Sequence, residues 1–297
     1  MTTKHAWASL FLIAIPVIAF SGCSSEQANH ADNAALRVMT FNLRTAATID
    51  RFAWEKRRPA VRELLMQEKP DLIGTQEGTY AQLANMADDL PAYRWIGEGR
   101  DGERRGEFSA IFYNKERMKP LQQGNFWLSG TPDVPGSKTW GNTYPRMATW
   151  ALFQDLRTRK KVYAINTHLD HQSELARQKG AELIIQTANT FEPGIPILLT
   201  GDFNSKQGGY SYEIFVNKGS MKDAFADAEV RVREELGTMH HFTDPTGGGK
   251  DNKIDWILYR GHVNVLRSEV VTFGANRIYP SDHYPVLADI LLLDRQK

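Results

Sequence analysis

No feature of this chain limits its fold more tightly than short apolar runs that end or begin on polar groups. IPILLTGDFNS (195–205) sets the pattern, with Asp202 and Asn204 at its tip. An apolar run of this length, bounded by Pro and Gly, reads as a buried strand. A carboxylate at its end needs partners, because burying a lone charge is costly. The arrangement recurs. LRVMTFNLR (36–44) carries Asn42, DLIGTQE (71–77) ends at Glu77, and KKVYAINTHLD (160–170) ends with His168 and Asp170. NKIDWILYRG (252–261) contains Asp255, and DHYPVLADILLL (282–293) opens with Asp282 and His283. Any one of these residues reads equally as a turn former. Together they call for a fold that gathers strand ends at one edge, where binding sites form.

Other runs fill in the layers. WEKRRPAVRELLMQEKP (54–70) puts Val61, Leu64 and Leu65 on one helical face, with Pro59 in a first turn. TYAQLANMADDL (79–90), the stretch from Ser173 to Thr190 and a short piece near 210–217 also read as helices. YRWIGEG (93–99), EFSAIFYN (107–114), GNFWLS (124–129), RMATWALFQDL (146–156) and VNVLRSEVVTF (263–273) read as extended. RTRKK (157–161), between two strands, reads as a hairpin tip. Interspersed helices and consecutive strands predict an α/β protein. Its layers are two mixed β-sheets packed face to face with helices outside, a four-layer α/β/β/α sandwich. A simple alternating parallel α/β fold ranks second. There is no repeat, low-complexity block or second linker, so residues 35–297 are expected to form a single domain.

The N-terminus has a different composition. Lys4 precedes the apolar run AWASLFLIAIPVIAF (6–20), and SGC follows, so residues 1–22 are set apart as a signal peptide. Cys23 is the only cysteine. FSGC resembles a bacterial lipobox, which implies a lipid on Cys23 and residues 23–34 as a polar tether. The chain is thus expected to be exported and anchored to the cell envelope, with Ser24 favouring the outer membrane. Residues 1–22 hold one Lys and no acid, so the remainder balances its basic side chains against 35 acidic ones. That neutrality disfavours, without excluding, a nucleic-acid partner, since phosphate neutralisation carries such affinity.

Asn42, Glu77 and Asp282 offer hard oxygen ligands suited to Mg²⁺, with Mn²⁺ or Ca²⁺ as substitutes. No Cys cluster or HExxH run signals zinc. Histidine is the usual proton carrier near neutral pH. A metal, carboxylates and two histidines together suit hydrolysis of a phosphoester.

The pieces MTFNLR, IGTQE, GEFSAIFYN, YPRMATW, INTHLDH, LLTGDFNS, IDWIL and YPSDHYPVLADI follow one another in order. In them the chain resembles the endonuclease/exonuclease/phosphatase superfamily, and FWLSGTPDVPGSK (126–138) resembles one bacterial branch of it. The resemblance implies a deoxyribonuclease-like sandwich and these roles. Glu77 is the main metal ligand, with Asn42 and Asp282 assisting directly or through water. Asp202 orients or deprotonates the attacking water, and Asn204 bonds a phosphoryl oxygen. His283, oriented by Asp255, contacts the phosphate or acts as base, and His168 is a second catalytic histidine paired with Glu107. Arg146 reaches the substrate phosphate, and Tyr113, Asp170 and His240 are further substrate-binding candidates. Which histidine is base, and whether one metal or two is used, stays open.

TGGGK (246–250) lacks the spacing of a phosphate-binding loop and precedes a strand, so it is set aside. Trp127, Trp140 and Tyr144 are either cleft walls or core aromatics. The expected activity is metal-dependent hydrolysis of a phosphodiester or phosphomonoester by in-line attack of water. The alternative is an exported nuclease acting on DNA or RNA. A non-catalytic surface binder is disfavoured because every ligand of the pattern is present.

Overall fold

The structure, a computed structural model, describes residues 1–2, 34–46, 51–273 and 278–294. Cys23 and nearly all of the expected export and tether segments lie outside the described residues. Ala34–Lys297 form one compact unit.

In chain order the main elements are β1 (Leu36–Asn42), α1 (Trp54–Glu68), β2 (Leu72–Gln76), β3 (Gly78–Thr79), α2 (Tyr80–Asp89) and β4 (Tyr93–Ile96). There follow β5 (Glu107–Phe108), β6 (Ile111–Asn114), β7 (Met118–Trp127), β8 (Met147–Asp155), β9 (Lys161–His168) and α3 (Glu174–Ala188). Last come β10 (Ile197–Asp202), β11 (Lys222–Asp223), β12 (Val230–Val232), β13 (Asp255–Arg260), β14 (Val263–Val270) and β15 (Val286–Leu292). A seven-stranded sheet runs β12-β14-β15-β1-β2-β6-β4 and a six-stranded sheet β11-β13-β10-β9-β8-β7, while β3 pairs with β5. This is the expected sandwich of two mixed sheets, not the alternating parallel fold.

Each large sheet is built around a central parallel pair joined by a helix, β1 with β2 and β9 with β10, and at the edge of the larger sheet β12 also runs parallel to β14. A helix, α1 or α3, makes each crossover. The neighbours of each pair run antiparallel: β15 and β6 in one sheet, β13 and β8 in the other. Both parallel pairs end at the same edge, and β13 begins there.

Side-chain alternation along the strands separates the layers. On β10, Leu198 belongs to the apolar core between the sheets, while Leu199 and the following Phe203 pack beneath α3. On β1, Val38 faces the other sheet, while Met39 and Phe41 pack against α1 and α2. The inter-sheet faces share one gradient. They read Val38, Thr40, Asn42 on β1; Leu72, Gly74, Gln76 on β2; Ala164, Asn166, His168 on β9; and Leu198, Thr200, Asp202 on β10. Apolar contacts fill one end, a hydrogen-bonded layer follows, and the candidate site forms the mouth.

The middle layer joins the sheets. Asn166 Nδ2 donates to the carbonyls of Thr75 (2.8 Å) and Ala110 (3.0 Å). Its Oδ1 accepts from Gln76 Nε2 (2.7 Å) and Thr200 Oγ1 (3.1 Å). Gly74 leaves room for this layer, since a Cβ there would lie 2.0 Å from Thr200 Oγ1 and 2.5 Å from Asn166 Oδ1.

Three local expectations are corrected. Pro59 lies inside α1, which starts earlier, at Trp54. Pro59 and Glu55 are both exposed, so the carbonyl that loses its donor meets water. EFSAIFYN is two strands: β5 leaves to pair with β3, and the Ala110 carbonyl at the break accepts from Thr75 N. β15 starts at Val286, so Asp282 and His283 sit in the turn before it. Pro285 has no N–H for a ladder, and its carbonyl accepts from Val271 N.

Gly74→Ala is expected to cost about 1–3 kcal/mol through overpacking of the Asn166 layer. The urea midpoint measures it, and an unchanged midpoint would contradict the tight inter-sheet contact.

Candidate active site

At the mouth of the sandwich, β2, β9, β10 and β13 each deliver one side chain. Asp202 and Asp255 face each other in register across β10 and β13, and His168 is the β9 partner of Asp202. Ligand atoms of Glu77, His168 and Asp202 lie within 4.8 Å of one another, as do those of Asp202, Asp255 and His283. Asp202 is common to both groups.

Backbone geometry aims two of these side chains. Glu77 (φ 62°), directly after β2, and Asn204 (φ 47°), two residues past β10, both adopt the left-handed conformation. Asn tolerates that region, whereas for Glu it is uncommon and costs energy that the surroundings must repay. Glu77 Oε2 accepts from Thr45 N at 2.9 Å, and Oε1 accepts from Asn42 Nδ2 at 3.0 Å. Asn42 Nδ2 also donates to Asp202 Oδ2 at 2.9 Å.

The two histidines sit in opposite electrostatic settings. His168 is buried, and burial, helped by Arg146 and Arg100, lowers its pKa well below the ordinary imidazole value. Asn204 Nδ2 donates to the Leu169 carbonyl (3.1 Å) and lies 3.0 Å from His168 Nε2. A neutral His168 therefore accepts at Nε2 and carries its proton on Nδ1. Burial opposes charge on His283 as well, but Asp255 outweighs it and raises that pKa well above the ordinary value. His283 Nδ1 donates to Asp255 Oδ2 at 2.9 Å, and its Nε2 faces Asp202 Oδ2 at 4.0 Å. Burial first, then repulsion from Asp255, pushes Asp202 up to about 7.

These groups fit a divalent cation. Glu77, Asp202 and Asp255 crowd negative charge together, and the buried Asp255 Oδ1 has no hydrogen-bond partner. Hard carboxylate oxygens in that arrangement suit Mg²⁺ or a similar ion.

A cleft of about 340 Å³ opens beside them. Its lining includes Glu77, His168, Asp202, Asn204 and His283 together with Arg100, Glu107, Tyr144, Arg146 and His171. The structure thus gathers Glu77, Glu107, Arg146, His168, Asp202, Asn204 and His283 at one cleft, with Asn42 and Asp255 directly behind.

Several expected placements differ. Asn42 offers Glu77 and Asp202 its amide nitrogen, and its Oδ1 accepts from Arg44 N (2.8 Å). It bridges the two carboxylates. Asp282 lies outside both close groups, with Oδ2 3.5 Å from Arg44 Nε. Glu107 does not pair with His168. β5 leaves the main sheet, and Glu107 Oε2 accepts from Arg100 Nη1 at 2.5 Å.

Of the further substrate-binding candidates, Tyr113 pairs with Leu72, at the end of β2 remote from Glu77, and packs on Phe153. That is roughly 16 Å along the strand from the cleft. His240 is buried against Tyr284 and Tyr279, its Nδ1 accepts from Phe242 N, and burial lowers its pKa to about 4. Asp170 is buried behind Arg146, Oδ2 to Nε 3.7 Å, and its Oδ1 accepts from the Gln172 and Ser173 N–H groups. It positions the arginine without lining the cleft.

Among the aromatics, Tyr144 lines the cleft, Trp127 donates to the Arg100 carbonyl at 2.6 Å, and Trp140 packs on the outer core. Arg100 escaped the sequence reading altogether. Its only local signal is a Gly- and charge-rich turn just before Glu107.

Comparison with known proteins gives a consistent picture. The model of the endonuclease/exonuclease/phosphatase family matches residues 39–283. An endonuclease/exonuclease/phosphatase from Bacteroides vulgatus is 35% identical, with a TM-score of 0.82 over 87% of this chain and 99% of that one. A mannosyl-6-phosphatase of Bacteroides thetaiotaomicron is 34% identical, with a TM-score of 0.81 over 86% of this chain and 100% of that one. An uncharacterized protein of Acanthamoeba polyphaga mimivirus is 30% identical over 80% of this chain and 91% of its own length.

An acid whose folded pKa exceeds its unfolded value withdraws stability as pH climbs between the two. For Asp202 the window runs from about pH 4 when unfolded to about 7 when folded. The loss amounts to at most about 4 kcal/mol. With chelator present, Asp202→Asn is expected to flatten that part of a urea-denaturation pH series; an unaltered slope would contradict the assignment. Mg²⁺ is expected to raise the melting temperature more at pH 8 than at pH 5. Glu77→Gln should remove most of that gain, as thermal denaturation would reveal.

Proposed function

The chain belongs to the endonuclease/exonuclease/phosphatase family, and we propose that it is a divalent-metal-dependent hydrolase of a small phosphoester. One observation carries the reading: Asp202 stands between His168 and His283, with Glu77 alongside, and the surroundings of the two histidines push their pKa values in opposite directions. Titratable groups whose surroundings push their pKa values apart are the usual mark of acid–base assignments.

The reaction is attack of water on phosphorus in line with the ester oxygen, forming one P–O bond as the other breaks. Glu77, with Asp202 adjacent, would hold the metal, which when bound would offset charge on the phosphoryl oxygens. Asp202 accepts the proton of the attacking water at its carboxylate. His283, charged and fixed by Asp255, presents Nε2–H to an oxygen of the phosphoryl group or leaving group. His168 stays neutral and aligns Asn204, which donates to a phosphoryl oxygen. Arg146, backed by Asp170, supplies fixed positive charge at the same cleft.

A small substrate is supported by the balanced charge of the chain. The similarity to a mannosyl-6-phosphatase also supports it. We place the reaction at the cell envelope on the strength of the export segment and Cys23.

With Mg²⁺ and a panel of aryl phosphate esters and sugar phosphates, Asp202→Asn and His283→Ala are each expected to lower kcat by about 10³-fold or more. Asp255→Asn, which frees His283 without removing it, is expected to cost about 10²-fold. Chelation should abolish turnover and Mg²⁺ restore it. Activity that survives both of the first two substitutions would overturn the reading.

A further inference from the structure

Two guanidinium groups line one cleft, and each keeps donors that no protein acceptor fills. Arg146 is 5% exposed, and its Nη2 donates to His171 Nδ1 at 3.0 Å. Its Nε is 3.7 Å from Asp170 Oδ2, beyond hydrogen-bond reach, and both atoms are buried without a partner. Arg100 donates through Nη1 to Glu107, lies 4.8 Å over the Tyr144 ring, and has a buried Nε that donates to nothing. Among the described residues, Arg146 Nη1 and Arg100 Nη2 donate to no protein acceptor.

The two cations oppose each other as well. After burial, the presence of Arg100 is the main influence lowering the Arg146 pKa, and both arginines act against a charge on His168. Like charges held this way are costly. An anion in the cleft relieves that cost, and the more so the greater its charge. A phosphomonoester carries close to two negative charges at neutral pH and three terminal oxygens. A phosphodiester carries one charge, two terminal oxygens and a second substituent that needs room.

We propose that Arg100 and Arg146 act together as a clamp for a phosphoryl dianion, so that the cleft prefers phosphomonoesters to phosphodiesters, with Arg100 the specificity-determining residue. This rests on the phosphoester reading above. The strand-end groups, and a metal they would hold, would serve some of the phosphoryl oxygens. The paired guanidiniums, lining the same cleft, receive the remaining terminal oxygen and the second charge, and their forked donor sets match phosphate geometry. Tyr144 and Glu107 hold the Arg100 plane, while Asp170 and His171 hold Arg146. Trp127 fixes the turn that carries Arg100 by donating to its carbonyl.

The test has two arms on the Mg²⁺-loaded protein. In the first, kcat/KM is measured for p-nitrophenyl phosphate and bis-p-nitrophenyl phosphate with wild type, Arg100→Gln and Arg100→Lys. The wild type is expected to favour the monoester. Arg100→Gln should cut the monoester-to-diester ratio by about 10- to 100-fold, and Arg100→Lys, which keeps charge without the fork, by less. In the second, calorimetry compares inorganic phosphate with dimethyl phosphate. Phosphate should bind at least about tenfold tighter, and Arg100→Gln should erase the difference.

A wild-type preference for the diester, or a ratio unchanged in Arg100→Gln, overturns the clamp while leaving the hydrolase reading intact. Absence of turnover on either ester, with Arg100-dependent discrimination still present in calorimetry, overturns the hydrolase reading and upholds the clamp. If Arg100→Gln does not fold, Arg100→Lys decides: a ratio equal to wild type overturns the proposal.

Discussion

The amide of Asn166 is the contact on which the rest of the site depends. It is fully buried, and all of its hydrogen-bonding capacity is used across the two sheets. A buried amide left unsatisfied is expensive, whereas one fully satisfied fixes a unique arrangement. Its partners are the Thr75 and Ala110 carbonyls, Gln76 and Thr200, so β2, β6, β9 and β10 cannot slide or separate independently. One residue further along lie Glu77 and Thr167, and two further from Asn166 and Thr200 lie His168 and Asp202. The distance between the sheets at the mouth is thereby set one layer below the chemistry.

Topology explains why that mouth collects acids and histidines. A parallel pair joined by a helix leaves both strands ending at the same edge, where ligands bind in open α/β sheets. Here there are two such pairs, packed face to face, and their carboxyl ends coincide. The antiparallel neighbour β13 begins at that edge, which puts Asp255 opposite Asp202. The crowding of carboxylates is then unavoidable. It raises Asp202, charges His283 and makes the place hospitable to a cation. A single sheet would have supplied half of these groups and could not have set a neutral histidine beside a charged one.

Much of this was legible in the sequence because strand alternation has a period of two. Val38-Thr40-Asn42 and Leu198-Thr200-Asp202 state which face each polar tip shares with the core, and Phe203 follows by parity into the opposite layer. Features that depend on where a strand breaks were not legible. The pairing of Glu107 with Arg100 requires β5 to leave its sheet, and nothing in EFSAIFYN marks the break. Tyr113 lies on the correct strand but at the far end of it, a register fact that local pattern does not carry. His240 belongs to an aromatic cluster assembled from two turns, and Asp170 to an ion pair with Arg146. Both are tertiary contacts of polar residues whose local sequence also suits a surface site. Pro59 was misjudged because an exposed proline is tolerated wherever the orphaned carbonyl can reach water.

The groups lining the cleft therefore have two physical origins. One set sits at strand ends, locked by the Asn166 layer and, at Glu77, by a φ that the surrounding fold must hold. The other set comes from turns: Arg100 and Glu107 from the segment around β5, Tyr144 and Arg146 from the excursion before β8, and His171 from the turn before α3. Turns tolerate replacement far better than strands whose both faces are buried. A scaffold of this kind holds the bond-breaking groups constant while the turns change what is presented to them. On the proposed clamp, the charge of the second set, not the geometry of the first, decides which phosphate is admitted.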